Sequence, residues 1–167
     1  MGIPDGFSPT RERPAPTKWL RAEGPAMYDR ILLPTDGSAG MERVIDHAVD
    51  LASIHDATVH ALYVVDTASL TDLPLESSWE GVRDALEQEG ETALEAVERR
   101  AGDVDVRTTV LEGSPGRDIV EFAVDEDCDL IVMGTHGRAG VDRWILGSVA
   151  ERVVRNSTVP VLTVHVG

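Results

Sequence analysis

At 167 residues, 42% of them hydrophobic, the chain has the length of one domain and enough apolar content for its own core. Thirty acidic against 15 basic residues give a net charge of −15, which excludes a general nucleic-acid or anionic-membrane surface. The single cysteine, Cys128, excludes an intramolecular disulfide and is compatible with a reducing interior.

Residues 1 to 26 differ from the rest. They hold five prolines, no hydrophobic period, and four basic against three acidic residues, so the remainder carries −16. No stretch in them is apolar enough for a signal-peptide core or a membrane span. Either they form a disordered extension, or the true start is Met27 and the domain is residues 27 to 167.

Arg30 to Pro34 predicts a short apolar strand that stops at Pro34-Thr35-Asp36-Gly37-Ser38, where Ser38 is placed to cap a helix. Met41, Val44, Ile45, Ala48, Leu51 and Ala52 then recur at helical spacing, which predicts a helix with one face on a sheet. Thr58 to Val65 is the second strand. After a polar loop, Ser77-Ser78-Trp79-Glu80 has capping-box spacing, and Val82, Leu86, Ala93, Ala96 and Val97 mark the buried side of a second helix running to about Arg100.

Val104 to Leu111 gives strand three. Ser114 is placed as the N-cap of a third helix, with Pro115 at its first position, where a missing N–H costs nothing. Cys128 is expected to be a small buried residue beside strand four, and Leu130 to Met133 is a continuous apolar run suited to a strand covered on both faces. Ser148 to Asn156 is a fourth helix, and Val159 to Val164 a closing fifth strand. The alternation β-α-β-α-β-α-β-α-β implies right-handed crossovers and a parallel sheet with helices on both sides: an α/β fold of three α/β/α layers.

Between strand four and helix four, Gly134, Gly137 and Gly147-Ser148 are spaced G-x2-G-x9-G-S. Glycines allow the backbone close to an anion, and the helix start offers free N–H groups with partial positive charge. No lysine follows Gly147, so this is not a Walker loop, and the compact G-x-G-x-x-G fingerprint is absent as well.

The spacing resembles the nucleotide-binding signature of the universal stress protein family. The resemblance extends over residues 27 to 167 through Pro34-Thr-Asp-Gly-Ser, Tyr63-Val-Val-Asp66, Glu112-Gly-Ser-Pro and the Val159-Pro-Val-Leu ending. It implies an adenine nucleotide alpha hydrolase-like sheet of order 3-2-1-4-5. With that order the ligand crevice lies beyond the ends of strands one and four, where Pro34-Thr35-Asp36 and Gly134 stand.

Carried over residue by residue, the resemblance places Pro34, Thr35 and Asp36 around adenine and ribose, and Val64 against the adenine face. Met133 and Gly134 would abut the ribose, and Gly137, Gly147, Ser148 and Val149 would surround the phosphates. The implied ligand is ATP, with magnesium or manganese arriving on the triphosphate. Asp36 has a second reading, as a cap of helix one. Arg138 and Arg143 lie within the loop and have the chemistry to meet outer phosphates, and Trp144 is placed to report binding. His136 is expected to be exposed. The five histidines show no metal-ligand spacing with a neighbouring Cys or carboxylate.

No lysine or base is placed for phosphoryl transfer, so catalysis is expected to be at most weak ATP hydrolysis. The resemblance implies a cytoplasmic, regulatory stress-response homodimer paired through strand five, with no nucleic-acid or membrane partner. A slow ATPase or transferase, and a scaffold without ligand, stay open on the same fold. Fourteen of the 15 basic residues are arginine, and so little lysine beside so much Asp and Glu points to a cytoplasm of high salt.

Overall fold

The apolar runs pair as one parallel five-stranded sheet. The computed structural model describes residues 28–67, 79–136 and 146–166. Its elements run β1 (Arg30–Pro34), α1 (Met41–His55), β2 (Thr58–Asp66), α2 (Trp79–Ala101), β3 (Val106–Gly113), α3 (Pro115–Asp125), β4 (Leu130–Gly134), α4 (Ser148–Asn156) and β5 (Val161–Val164). The strand order is β3-β2-β1-β4-β5, as expected, and every pairing is parallel. No helix among the described residues is long and apolar enough to cross a membrane.

Side chains alternate across the strands and so build two cores. One lies beneath α1 and α2 and contains Ile31, Leu33, Val44, Val59 and Val97. The other lies beneath α3 and α4 and contains Leu32, Leu62, Ile119, Ile131 and Val153, with Cys128 buried among them. Asp129 fixes the central register. Its buried carboxylate accepts the N–H groups of Asp29 at 2.7 Å and Arg30 at 2.9 Å, and its own N–H donates to the Arg30 carbonyl at 2.8 Å. The start of β1 is thereby tied to the start of β4, and their far ends stay side by side.

Several boundaries differ from the sequence expectation. β3 begins at Val106 and runs on to Gly113. β5 begins at Val161, not Val159, because Pro160 has no N–H to give a ladder; its carbonyl instead accepts Ile131 N–H at 2.9 Å, and Val159 packs into the core. Along α2, Val82 is exposed and Leu94 takes a core place beside Ala93 and Val97. No residue from 80 to 89 is fully buried; Leu86 packs only partly against the core, and Arg83 bonds Glu112 of β3 at 2.9 Å. Burial begins at Gly90, where an added Cβ would stand 2.6 Å from the Tyr63 ring.

Of the expected caps, Ser38 does not cap α1, whereas Ser114 does stand at the N-cap of α3. α1 starts at Met41 after Gly40, with no side-chain cap from Ser38 or Asp36. Ser114 is the N-cap residue of α3, with Pro115 following as expected, but its hydroxyl makes no cap bond. The bond runs the other way: Asp118 Oδ2 accepts Ser114 N–H at 2.7 Å. The serines of the Ser77–Glu80 capping box, like residues 1–26, lie outside the described residues.

Candidate functional site

Strand order reverses at β1, whose neighbours β2 and β4 are followed by chain on opposite faces of the sheet, and this opens a crevice beyond the ends of β1 and β4. The β1 wall is Pro34-Thr35-Asp36. Pro34 and Thr35 are buried, and Thr35 N–H donates to the Leu62 carbonyl of β2 at 2.9 Å. Thr35 Oγ1 then accepts Gly37 N–H at 3.2 Å, and Asp36 Oδ1 accepts Ser38 N–H at 3.0 Å. This is an Asx turn: the carboxylate shapes the loop instead of capping α1, which starts three residues after Ser38. Val64 and Met133 lie on the same face of the sheet, both against the core beneath α3 and α4.

The β4 wall continues this frame. Gly134 ends β4, buried, and an added Cβ would stand 3.2 Å from the His136 carbonyl oxygen and 3.4 Å from the Val166 side chain. Thr135 N–H donates to the Val164 carbonyl at 2.9 Å, and the Thr135 carbonyl accepts Gly147 N–H at 2.8 Å. That second bond fastens the start of α4 over the end of β4. Gly147 is the N-cap with no side-chain cap, and the helical bonds begin with Glu151 N–H to the Gly147 carbonyl at 2.8 Å. The N–H groups of Ser148, Val149 and Ala150 therefore precede the first acceptor of their own helix. Ser148 and Val149 are exposed there.

Pro34, Thr35, Asp36, Val64, Met133, Gly134, Gly147, Ser148 and Val149 thus all lie at the carboxyl ends of β1, β2 and β4 or at the start of α4. Gly137, Arg138, Arg143 and Trp144 lie outside the described residues. A groove of about 510 Å³ opens on the other side of the β1 loop, between α1 and α2; it shares Thr35, Gly37 and Ser38 with the crevice but includes nothing from β4 or α4. It belongs to a different face.

Two residues missed as structural partners are Thr135 and His136. His136 is half-buried, not exposed: Nδ1 lies 2.9 Å from Thr135 Oγ1 and Nε2 is buried. The bond of Thr135 to β5 holds the backbone in the sheet past the end of β4, which brings the ring against His165. A hydroxyl next to an imidazole between Gly134 and Gly137 was the only signal available for this.

Fold and crevice together define a doubly wound α/β protein whose switch point is lined by a buried strand end and by helix-start donors that have no acceptor in their own helix. The sequence model described as the universal stress protein family matches residues 27–165. Universal stress protein MJ0531 of Methanocaldococcus jannaschii is 46% identical over 143 residues, which cover 84% of this chain and 84% of that one. The solved structure of MJ0577 from the same organism is similar with a TM-score of 0.74 and 31% identity, over 83% of this chain and 96% of that one. A universal stress protein solved in complex with cAMP is similar with a TM-score of 0.62 and 25% identity, over 84% and 99%. The chain belongs to the universal stress protein family.

Proposed function

We propose that this protein binds ATP in the crevice between β1 and β4 and serves as a regulatory stress-response protein. The observation that carries the reading is the 2.8 Å bond from Gly147 N–H to the Thr135 carbonyl, because it sets three N–H groups of α4 that have no acceptor in their own helix beside the end of β4. A phosphate at that helix start meets donors and a favourable dipole with no further rearrangement. Support for the adenosine half comes from the opposite wall, where Pro34, Val64 and Met133 offer apolar surface and Asp36 offers carboxylate oxygens to ribose hydroxyls or the adenine amino group. The cAMP complex of a relative at 25% identity supports the adenine class.

In this reading Gly134 and Gly137 let the backbone approach the ligand, Gly147 holds the helix start through its bond to Thr135, Ser148 adds a hydroxyl to its own N–H and that of Val149, and magnesium or manganese accompanies the triphosphate. The test is calorimetric titration of the folded chain with ATP and magnesium, beside Ser148→Pro. Binding in the parent and its weakening in the variant is the expected result; absence of heat in the parent over a range of salt would reject ATP as the ligand.

We propose further that two copies pair through β5. It is an edge of the sheet, and Leu162 on it is 39% exposed. An apolar edge strand invites a partner strand. Light scattering at micromolar concentration should return twice the chain mass, and a monomer there would remove this part.

A further inference from the structure

Two imidazoles stand side by side where β4 and β5 end. Gly134 and Val164 are partners across these parallel strands, and each strand is followed within two residues by a histidine, His136 and His165. Their rings meet edge to face at 83°, with centroids 6.4 Å apart. The Nδ1 atom of His136 is engaged by the Thr135 hydroxyl at 2.9 Å, while its Nε2 is buried with no hydrogen-bond partner among the described residues. Buried ring nitrogens are ordinarily bonded, so this one calls for a cause.

We propose that His136 and His165 form a two-histidine site for a late first-row divalent ion, zinc foremost. The Thr135 hydroxyl is placed for the part that outer-shell partners play at metal-bound histidines: with Nδ1 protonated it accepts Nδ1–H and leaves the lone pair on Nε2. Imidazole nitrogen selects zinc, nickel and copper, whereas magnesium and manganese prefer oxygen. Zinc–nitrogen bonds of about 2.0–2.1 Å require the two ligating nitrogens within roughly 4 Å of each other. His165 is exposed, so its ring has room to rotate toward His136. The Arg43 guanidinium meets the His165 carbonyl at 3.2 Å, and so binds the backbone there and not the ring.

Among the described residues no group of three or more His, Cys, Asp or Glu is gathered to hold a metal. His136 Nε2 is sealed in the conformation described, so the ion enters as the exposed His165 ring turns; the protein then supplies two ligands and water the rest, which makes the site exchangeable instead of structural. The overall charge of −15 favours a cation at long range. Neither histidine is itself among the proposed ATP contacts, but His136 stands between two of them, Gly134 and Gly137, so zinc is tested apart from nucleotide.

The test is calorimetric titration of the intact chain with zinc ion alone at neutral pH, without nucleotide and with magnesium in excess to occupy surface carboxylates. One zinc per chain is expected, with uptake abolished in His165→Ala and in His136→Ala. Thr135→Val, which keeps both rings, should weaken binding roughly tenfold, the scale of an outer-shell loss. Because His165 is exposed, its variant should keep the parent far-UV circular dichroism, which separates loss of ligand from loss of fold. Zinc uptake unchanged in both histidine variants, or no stoichiometric uptake by the parent, would overturn the proposal.

Discussion

The two walls of the crevice are built on opposite plans. At the end of β1 the backbone is consumed internally: Thr35 bonds β2, Thr35 Oγ1 takes Gly37, and Asp36 takes Ser38. At the end of β4 a single bond, Gly147 to Thr135, fixes the helix start and leaves the next three donors without acceptors in their own helix. A wall that satisfies itself is a shape, while a wall that leaves donors open is a receptor for negative charge. Damage to the first should register as stability, and damage to the second as phosphate affinity.

The largest effect should come from the frame that carries both walls. Ile131 is fully buried and lies in register with Leu32 of β1 and Val161 of β5. Ile131→Ala is expected to cost about 3 kcal/mol of stability, the usual scale for a truncated buried aliphatic side chain. Urea unfolding checks it, and the folded fraction should keep parental ATP affinity. Affinity lost in proportion beyond unfolding would mean that the walls are not separable from the frame.

Ser148→Pro isolates the second wall. Proline is well suited to the first helical position, and Gly147 already has the φ of −60° and ψ of 153° that a residue before proline adopts. The helix should therefore survive while one N–H and the hydroxyl disappear. Loss of a hydrogen bond to a charged group is worth about 1.5–3 kcal/mol, so ATP affinity should fall roughly tenfold or more. Adenosine affinity should be unchanged. An equal fall for both ligands would place the phosphates elsewhere.

Thr35→Val is the matching change on the first wall. It nearly conserves volume but removes the acceptor of Gly37 N–H. Because Gly37 is exposed and water can replace the lost partner, the expected cost is about 1 kcal/mol, read as a lowered urea midpoint. A tenfold loss of ATP affinity with stability intact would show that the Thr35 hydroxyl itself contacts the nucleotide.

The same contrast explains how much the sequence disclosed. Buried strands and one-sided helices leave a hydrophobic period, so the order of elements was legible, and glycines with Ser148 marked the anion-facing loop. What failed was local and polar. Ser38 reads as a cap, but the bond from Ser38 N–H to Asp36 spends this segment on a turn before α1 begins. Val82 fits the helical stripe, but it is exposed, on a stretch of α2 where only Leu86 packs partly against the core. The Thr135 and His136 pairing depends on β5 lying alongside, a fact of tertiary structure with no local signature.

The smallest predicted effect lies away from both walls and tests whether the frame itself responds to pH. His60 of β2 is buried, in register with Leu32 of β1 and Arg107 of β3, with the Phe122 ring of α3 at 6.2 Å and Nε2 without a partner. Burial holds its pKa below the usual histidine value, and Arg107 and Arg30 push the same way against the weaker pull of Glu126 and Asp105. The folded chain thus binds this proton less readily than the unfolded chain does. Stability from His60 is complete above about pH 6.5, the ordinary imidazole value, and is lost as pH falls through the lower folded one. In His60→Leu that decline should be shallower, so the melting temperature of the variant relative to the parent should rise between about pH 7 and pH 5. The difference between the two curves cancels the carboxylates they share. Parallel curves would show that the imidazole finds a partner when it is protonated, and that the acid response of the frame belongs to other groups.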